Sequence, residues 1–254
     1  MVWLLRAHNA QAQEVGPMLT ITIGGQAGAG GHEIGAVVSR KLGLPLVRTL
    51  AIRKLARRLN ASVDAVVRKE LAFGSRRMRF ANALEYGLYR SAMYGWDPHM
   101  AVDFGFWDEA QSSKRFLPDQ ISTDEYCDAF YAIADDLRSL GDSIVVERGG
   151  CLNMTDTPGV VHVGMFAPRE HRERRIARRL QVGASEAAKL VKRFDNDRRA
   201  WFSKLANTEP EDRSLYNIVL DVDGYSSDSE IADTLVGEAI RVKYGDEFHP
   251  APSF

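Results

Sequence analysis

A short apolar strand that runs into glycine and re-emerges as a helix leaves a chain few folds to choose from. Leu19-Thr20-Ile21-Thr22-Ile23 leads into Gly24-Gly25-Gln26-Ala27-Gly28-Ala29-Gly30-Gly31, with five glycines among eight residues. Helical spacing follows at Ile34, Val37, Val38 and Leu42. Glycines in such a loop let consecutive backbone N–H groups face one concavity. The next helix adds unsatisfied N–H groups and the positive end of its dipole, so an anion such as phosphate is the natural guest. The bland alternative is a tight strand-to-helix turn without a ligand.

The loop follows the phosphate-loop pattern G-x-x-x-x-G-K-[ST] with a departure. Gly25 and Gly30 take the two glycine positions, but Gly31 stands where the lysine belongs, and His32 and Glu33 follow. The backbone donors are kept. The cation for the outer phosphates and the usual magnesium-binding hydroxyl are not.

Further along, five apolar strand candidates alternate with helical segments. After Leu44-Pro45-Leu46-Val47, residues 49–72 read as two helices broken near Asn60-Ala61-Ser62, with Ser62 capping the second. Residues 74–107 are rich in arginine and aromatics, either a lobe that stacks a base or an ordinary core face. Ser122-Thr123-Asp124-Glu125 fits a capping box. Ser143 to Glu147 is a strand that delivers Arg148-Gly149-Gly150 to its carboxyl end, the edge where ligands sit in open parallel sheets. Val160 to Phe166 is the next strand, and its His162 reads as structural.

From Pro168 a helix carries Arg169, Arg172, Arg174, Arg175, Arg178 and Arg179; Gly183 breaks it, and a second long helix begins at Ser185. Arginines spaced by three and four share one side. They form either a functional hairpin or a charged surface with carboxylate partners such as Glu173 and Glu186. Tyr216 to Val222 is the last strand and Asp228 to Val242 the closing helix. The pattern predicts a doubly wound α/β fold with a five-stranded parallel sheet; if it follows phosphate-loop kinases, that resemblance implies the order 2-3-1-4-5 with helical acceptor-binding and lid regions.

Composition narrows the function. A net charge of −1 in 254 residues argues against general nucleic-acid binding. No stretch is apolar and long enough for a membrane span. Cys127 and Cys151 make neither a disulfide framework nor a metal pattern, which points to a reducing, cytoplasmic setting. Residues 1–17 read as an extension the fold does not need and 244–254 as a loose tail. The domain then covers 18–243, with a helical insertion at about 49–140 and the arginine-rich lid at about 168–206.

Taken in order, the glycine loop, the apolar strand ending in Arg148-Gly149, the arginine helix and the D-x-x-R spacing of Asp195 and Arg198 resemble the cytidylate kinase-like family. This is a branch of the phosphate-loop nucleoside monophosphate kinases in which the loop lysine is also a glycine. The resemblance implies a phosphotransferase moving the γ-phosphoryl of ATP to a nucleoside monophosphate, CMP or dCMP. Gly25, Gln26, Ala27, Gly28, Ala29, Gly30, Gly31, His32 and Glu33 would cradle the donor phosphates. Arg148, Asp195 and Arg198 would bind the acceptor, and Arg172 and Arg175 would act on the transferring group. Magnesium would be held mainly by the nucleotide, with no dedicated protein ligand. Two alternatives stay open: a nucleotide-binding regulatory protein without phosphotransfer, and a small-molecule kinase with a non-nucleotide acceptor. A homo-oligomer is compatible with either.

Overall fold

The structure is a computed structural model, and it describes residues 19–47, 50–73, 121–146, 149–155 and 157–244. The aromatic, arginine-rich stretch after Phe73, together with Glu147 and Arg148, lies outside the described residues.

Five strands form one sheet: β1 (Thr20–Gly25), β2 (Leu46–Val47), β3 (Ser143–Val146), β4 (Val160–Phe166) and β5 (Ile218–Asp221). Their order is β2-β3-β1-β4-β5, and every neighbouring pair is parallel. β1 is central, with Ile21 opposite Ile144 on one side and Val161 on the other. Both faces are covered by helices, which is why the strands read as near-continuous apolar runs.

On one face Ile21, Ile23, Ile144, Val146, Val163 and Met165 pack against α1 (Gly31–Leu42) and the closing helix, α8 (Asp228–Tyr244). On the other, α2 (Leu50–Arg58), α3 (Val63–Leu71), α4 (Thr123–Arg138) and the single turn α5 (Gly150–Asn153) gather around Tyr126, Phe130, Val145 and Phe166. β1 turns Thr20 and Thr22 to this second face, both buried. Thr22 is satisfied by His162 on β4: Thr22 Oγ1 and His162 Nδ1 lie 2.7 Å apart, and His162 Nε2 lies 3.3 Å from the Met154 carbonyl. A carbonyl only accepts, so the Nε2 position carries the proton and Nδ1 accepts from the Thr22 hydroxyl. This is a structural histidine tying two strands together.

The caps form as their residues dictate. Ser62 Oγ accepts from Ala65 N at 3.0 Å, opening α3. Ser122 Oγ accepts from Glu125 N while Glu125 Oε2 accepts from Ser122 N, a reciprocal box that starts α4. Two boundaries differ from the sequence reading. The arginine helix, α6 (Arg169–Leu180), is closed by Gln181 in the left-handed region, φ 53°, while Gly183 is extended and begins α7 (Ala184–Ala206). The last strand is also shorter than expected. Tyr216 leaves the strand to lay its ring against Gly164, where a side-chain carbon would come within 2.6 Å of it.

The α6–α7 hairpin has a small core of its own, with Ile176, Ala187 and Val191 fully buried. It lies across the carboxyl edge of the sheet.

Candidate functional site

The loop after β1 is shaped by three glycines that no other residue could replace without strain. Gly25, Gly28 and Gly30 have φ of 100°, 82° and 104°. A side-chain carbon on Gly25 would fall 2.2 Å from the Met165 carbonyl oxygen, so the loop departs in backbone contact with β4. Gln26 fastens it there, donating from N to Met165 O at 2.9 Å and accepting from Ala167 N on Oε1 at 3.1 Å. Gly30 caps α1 with no side chain of its own, so the cap residue takes none of the first-turn N–H groups. Gly35 lets α1 approach β3, since a methyl there would lie 2.8 Å from Val146.

α6 roofs this loop, and it does so with the two arginines that the sequence singles out. Arg172, 5% exposed, donates from Nε to Ala167 O, and from Nη1 to Ala27 O and to Asp195 Oδ1 at 2.7 Å. It is a buried clamp joining loop, α6 and α7, and Asp195 is its counter-ion.

Arg175, one turn on, does something else. Its guanidinium lies flat against Gly30, where a side-chain carbon would meet Nη2 at 2.6 Å, Cζ at 2.7 Å and Nε at 3.0 Å. Nη1 and Nη2 donate to the carboxylate of Asp228 at 2.8 to 2.9 Å. Nearby, burial and then the charge of Arg175 lower the pKa of His171, which favours its neutral form. Glu33 Oε1 lies 3.9 Å from Arg179 Nη1.

On the other side of the end of β1 is a narrow crevice lined by Thr22, Gly24, Gly149, Cys151, Arg198 and Phe202. A side-chain carbon on Gly24 would lie 3.8 Å from Arg198 Nη2 and 3.3 Å from the Tyr216 ring, so this arginine is directed at the strand end. Its guanidinium also stands 5.9 Å from the centre of the Phe202 ring. Trp201 closes the wall against Gly149 and donates from Nε1 to the Tyr126 hydroxyl at 2.9 Å. Burial pushes the Cys151 thiol up to about 11, which keeps it protonated and makes it packing rather than a nucleophile. Asp197, beside Arg198 on α7, is pushed up to about 6 by burial, with Arg193 opposing the shift.

Residues Gly25 to Glu33, Arg172, Arg175 and Asp195 therefore converge on one side of the strand end, and Arg198 lies on the other. Arg148 falls outside the described residues. Asp228 escaped the sequence reading. It looks like an ordinary first-turn acid of α8, and its pairing with Arg175 spans 53 residues. Among the described residues no three of His, Cys, Asp and Glu group as a metal site, and no helix is long and apolar enough to cross a membrane.

The sequence matches the description of the cytidylate kinase-like family over residues 20–224. No curated protein matches it in sequence. An uncharacterized protein from Eubacterium ventriosum superposes with TM-score 0.51 at 14% identity, over 87% of this chain and 98% of that one. A shikimate kinase from Acinetobacter baumannii, in complex with shikimate, aligns over 91% of this chain and 97% of its own at TM-score 0.43 and 13% identity.

Proposed function

The chain belongs to the cytidylate kinase-like family, and from that premise we propose that it moves the γ-phosphoryl of ATP onto an anionic acceptor, a nucleoside monophosphate with CMP or dCMP first. The observation that carries this reading is the placement of two guanidinium groups on either side of the end of β1, Arg175 against Gly30 and Arg198 facing Gly24. Phosphoryl transfer needs in-line positioning and neutralised charge more than covalent help from the protein, and cations flanking a glycine loop meet both needs.

In this reading the loop N–H groups and the amino end of α1 hold the donor phosphates. Arg175 supplies the charge that the lysine position lacks. Arg198 grips the acceptor's anionic group, because a planar guanidinium can offer two parallel hydrogen bonds to its oxygens. Arg172 and Asp195 keep loop and hairpin in register. The hairpin roof excludes water once both substrates are in place. Magnesium, which the family implies, would neutralise phosphate charge and be held mainly by the nucleotide and water, with Glu33 in the first turn of α1 a carboxylate next to the loop.

A non-catalytic nucleotide binder remains the competing reading, favoured by Gly31 at the lysine position. The deciding assay offers ATP and magnesium with a panel of nucleoside monophosphates and small hydroxylated acids, read by ADP release. Acceptor-dependent turnover that falls on the order of 10²-fold or more in Arg198→Ala supports transfer. ATP binding with no turnover on any acceptor supports the binder. Turnover on a hydroxylated acid alone would make it a kinase of non-nucleotide acceptors. Cytoplasmic ATP chemistry is the setting we propose.

A further inference from the structure

We propose that Asp228 is a positioning residue: it holds the Arg175 guanidinium over Gly30 as an externally supplied replacement for the loop lysine. The inference rests on the reading of the loop as a nucleotide-phosphate site. Arg175 is 11% exposed in its side chain, so its charge sits largely out of water and needs a counter-ion to stay there. Asp228 provides one through bonds of 2.8, 2.8 and 2.9 Å to Nη1 and Nη2.

The donor geometry leaves the loop side available. A guanidinium carries five N–H donors in a fixed plane. Asp228 takes Nη1 and the side of Nη2 that faces it. A side-chain carbon at Gly30 would meet Nη2 at 2.6 Å, Cζ at 2.7 Å and Nε at 3.0 Å, so the flat face of the guanidinium, toward its Nε–Nη2 side, is what packs on the loop. Because the N–H groups lie in the guanidinium plane, an oxyanion seated beside Gly30 at the Nε–Nη2 edge can accept from it without displacing Asp228, which holds Nη1 and the other side of Nη2. The carboxylate therefore orients the cation rather than competing for it.

Gly30 is part of the same arrangement. Its φ of 104° and the absence of a side chain let the guanidinium come within contact of the loop backbone. Gly31, in contrast, does not need to be glycine on steric grounds: a side-chain carbon there would make an ordinary contact with Ile23 at 3.4 Å. The cation has thus moved from the loop to α6, and α8 supplies the residue that holds it.

The test is ATP affinity in the presence of magnesium, measured on the full chain by calorimetry, so that it does not depend on turnover. Arg175→Ala is expected to weaken ATP about 10- to 100-fold and Asp228→Ala about tenfold. The double variant should be no weaker than Arg175→Ala alone, the non-additivity expected when one side chain acts through another. Adding Gly31→Lys should restore affinity to within a few-fold in both the Arg175→Ala and Asp228→Ala backgrounds, a rescue that a purely structural role for Asp228 would not show.

Multiplicative losses in the double variant, unchanged or tighter ATP binding in Asp228→Ala, or failure of the lysine to rescue would each overturn the proposal. Should Asp228→Ala not fold, Asp228→Asn serves, with a smaller loss and the same rescue expected. Failure here with acceptor-dependent turnover intact would leave the phosphotransferase standing. The coupling without turnover on any acceptor would instead sink the phosphotransferase and leave Asp228 in its role.

Discussion

The sheet and the α6–α7 hairpin bury different chemistry. The sheet's two faces hide Ile21, Ile23, Val145, Val163 and Met165 together with apolar faces of the flanking helices. The hairpin fully buries Ile176, Ala187 and Val191, is braced internally by Arg172–Asp195 and tied to α8 by Arg175–Asp228, and reaches the loop through Arg172 at the Ala27 carbonyl and Arg175 against Gly30. Apolar burial contributes roughly 25 cal/mol per Å² without directional demands, whereas a buried ion pair offsets much of its attraction with lost hydration. The sheet is thus a stable platform. The hairpin is held to its neighbours by contacts that are specific in geometry but modest in net free energy.

The sharpest way to break this comparison is at the seam between the regions. Gly30→Ala forces a side chain into a φ of 104° and against the Arg175 guanidinium, separating hairpin from loop while leaving both cores untouched. Phosphotransfer should fall on the order of 10²- to 10³-fold in steady-state assays. Wild-type rates in this variant would mean that the contact does not matter.

Next in size is the core itself. Ile23→Ala should lower global stability by about 2–5 kcal/mol in urea unfolding, with the transition staying cooperative. Ile176→Ala should act locally, speeding amide exchange in α6 and α7 more than in β1. Equal protection loss in both regions would show that the hairpin unfolds only with the sheet.

A smaller effect depends on pH. Asp197 lies on the hairpin with Oδ1 buried and lacking a hydrogen-bond partner among the described residues, and its pKa is pushed up to about 6 by burial. Because the folded state binds this proton more tightly than the unfolded chain, the group favours folding most fully below about pH 4. That contribution is lost as pH rises through about 6, a change on the order of 1–3 kcal/mol. Asp197→Asn should flatten the stability profile between pH 4 and 7; an unchanged slope across that window would refute the assignment.

The smallest effect belongs to the platform's edge. Ser122→Ala removes one half of the capping box of α4 and should cost about 1 kcal/mol, read as a shift in urea midpoint at constant slope.

Much of the platform was legible because its signals are local. The glycine loop, the Ser62 and Ser122 caps and the strand runs each declare themselves within a few residues, and the family resemblance orders them into 2-3-1-4-5. The structural reading of His162 also holds, although its partner Thr22 lies 140 residues away. The site was legible only in part. Helical spacing places Arg172 and Arg175 on one side of α6, but spacing cannot say that the first is a clamp and the second a cation laid on the loop.

From sequence alone came the chemistry available to this chain: a loop built to present backbone N–H groups, a missing lysine, and a surplus of guanidinium groups downstream. Local steric and hydrogen-bonding rules suffice for that. Tertiary packing decided which guanidinium went where, pairing Arg172 with Asp195 across 23 residues and Arg175 with Asp228 across 53. The physical reason is that a charge is positioned by whatever counter-ion and close-packed backbone surround it. Those neighbours are brought together by the sheet and not by proximity along the chain.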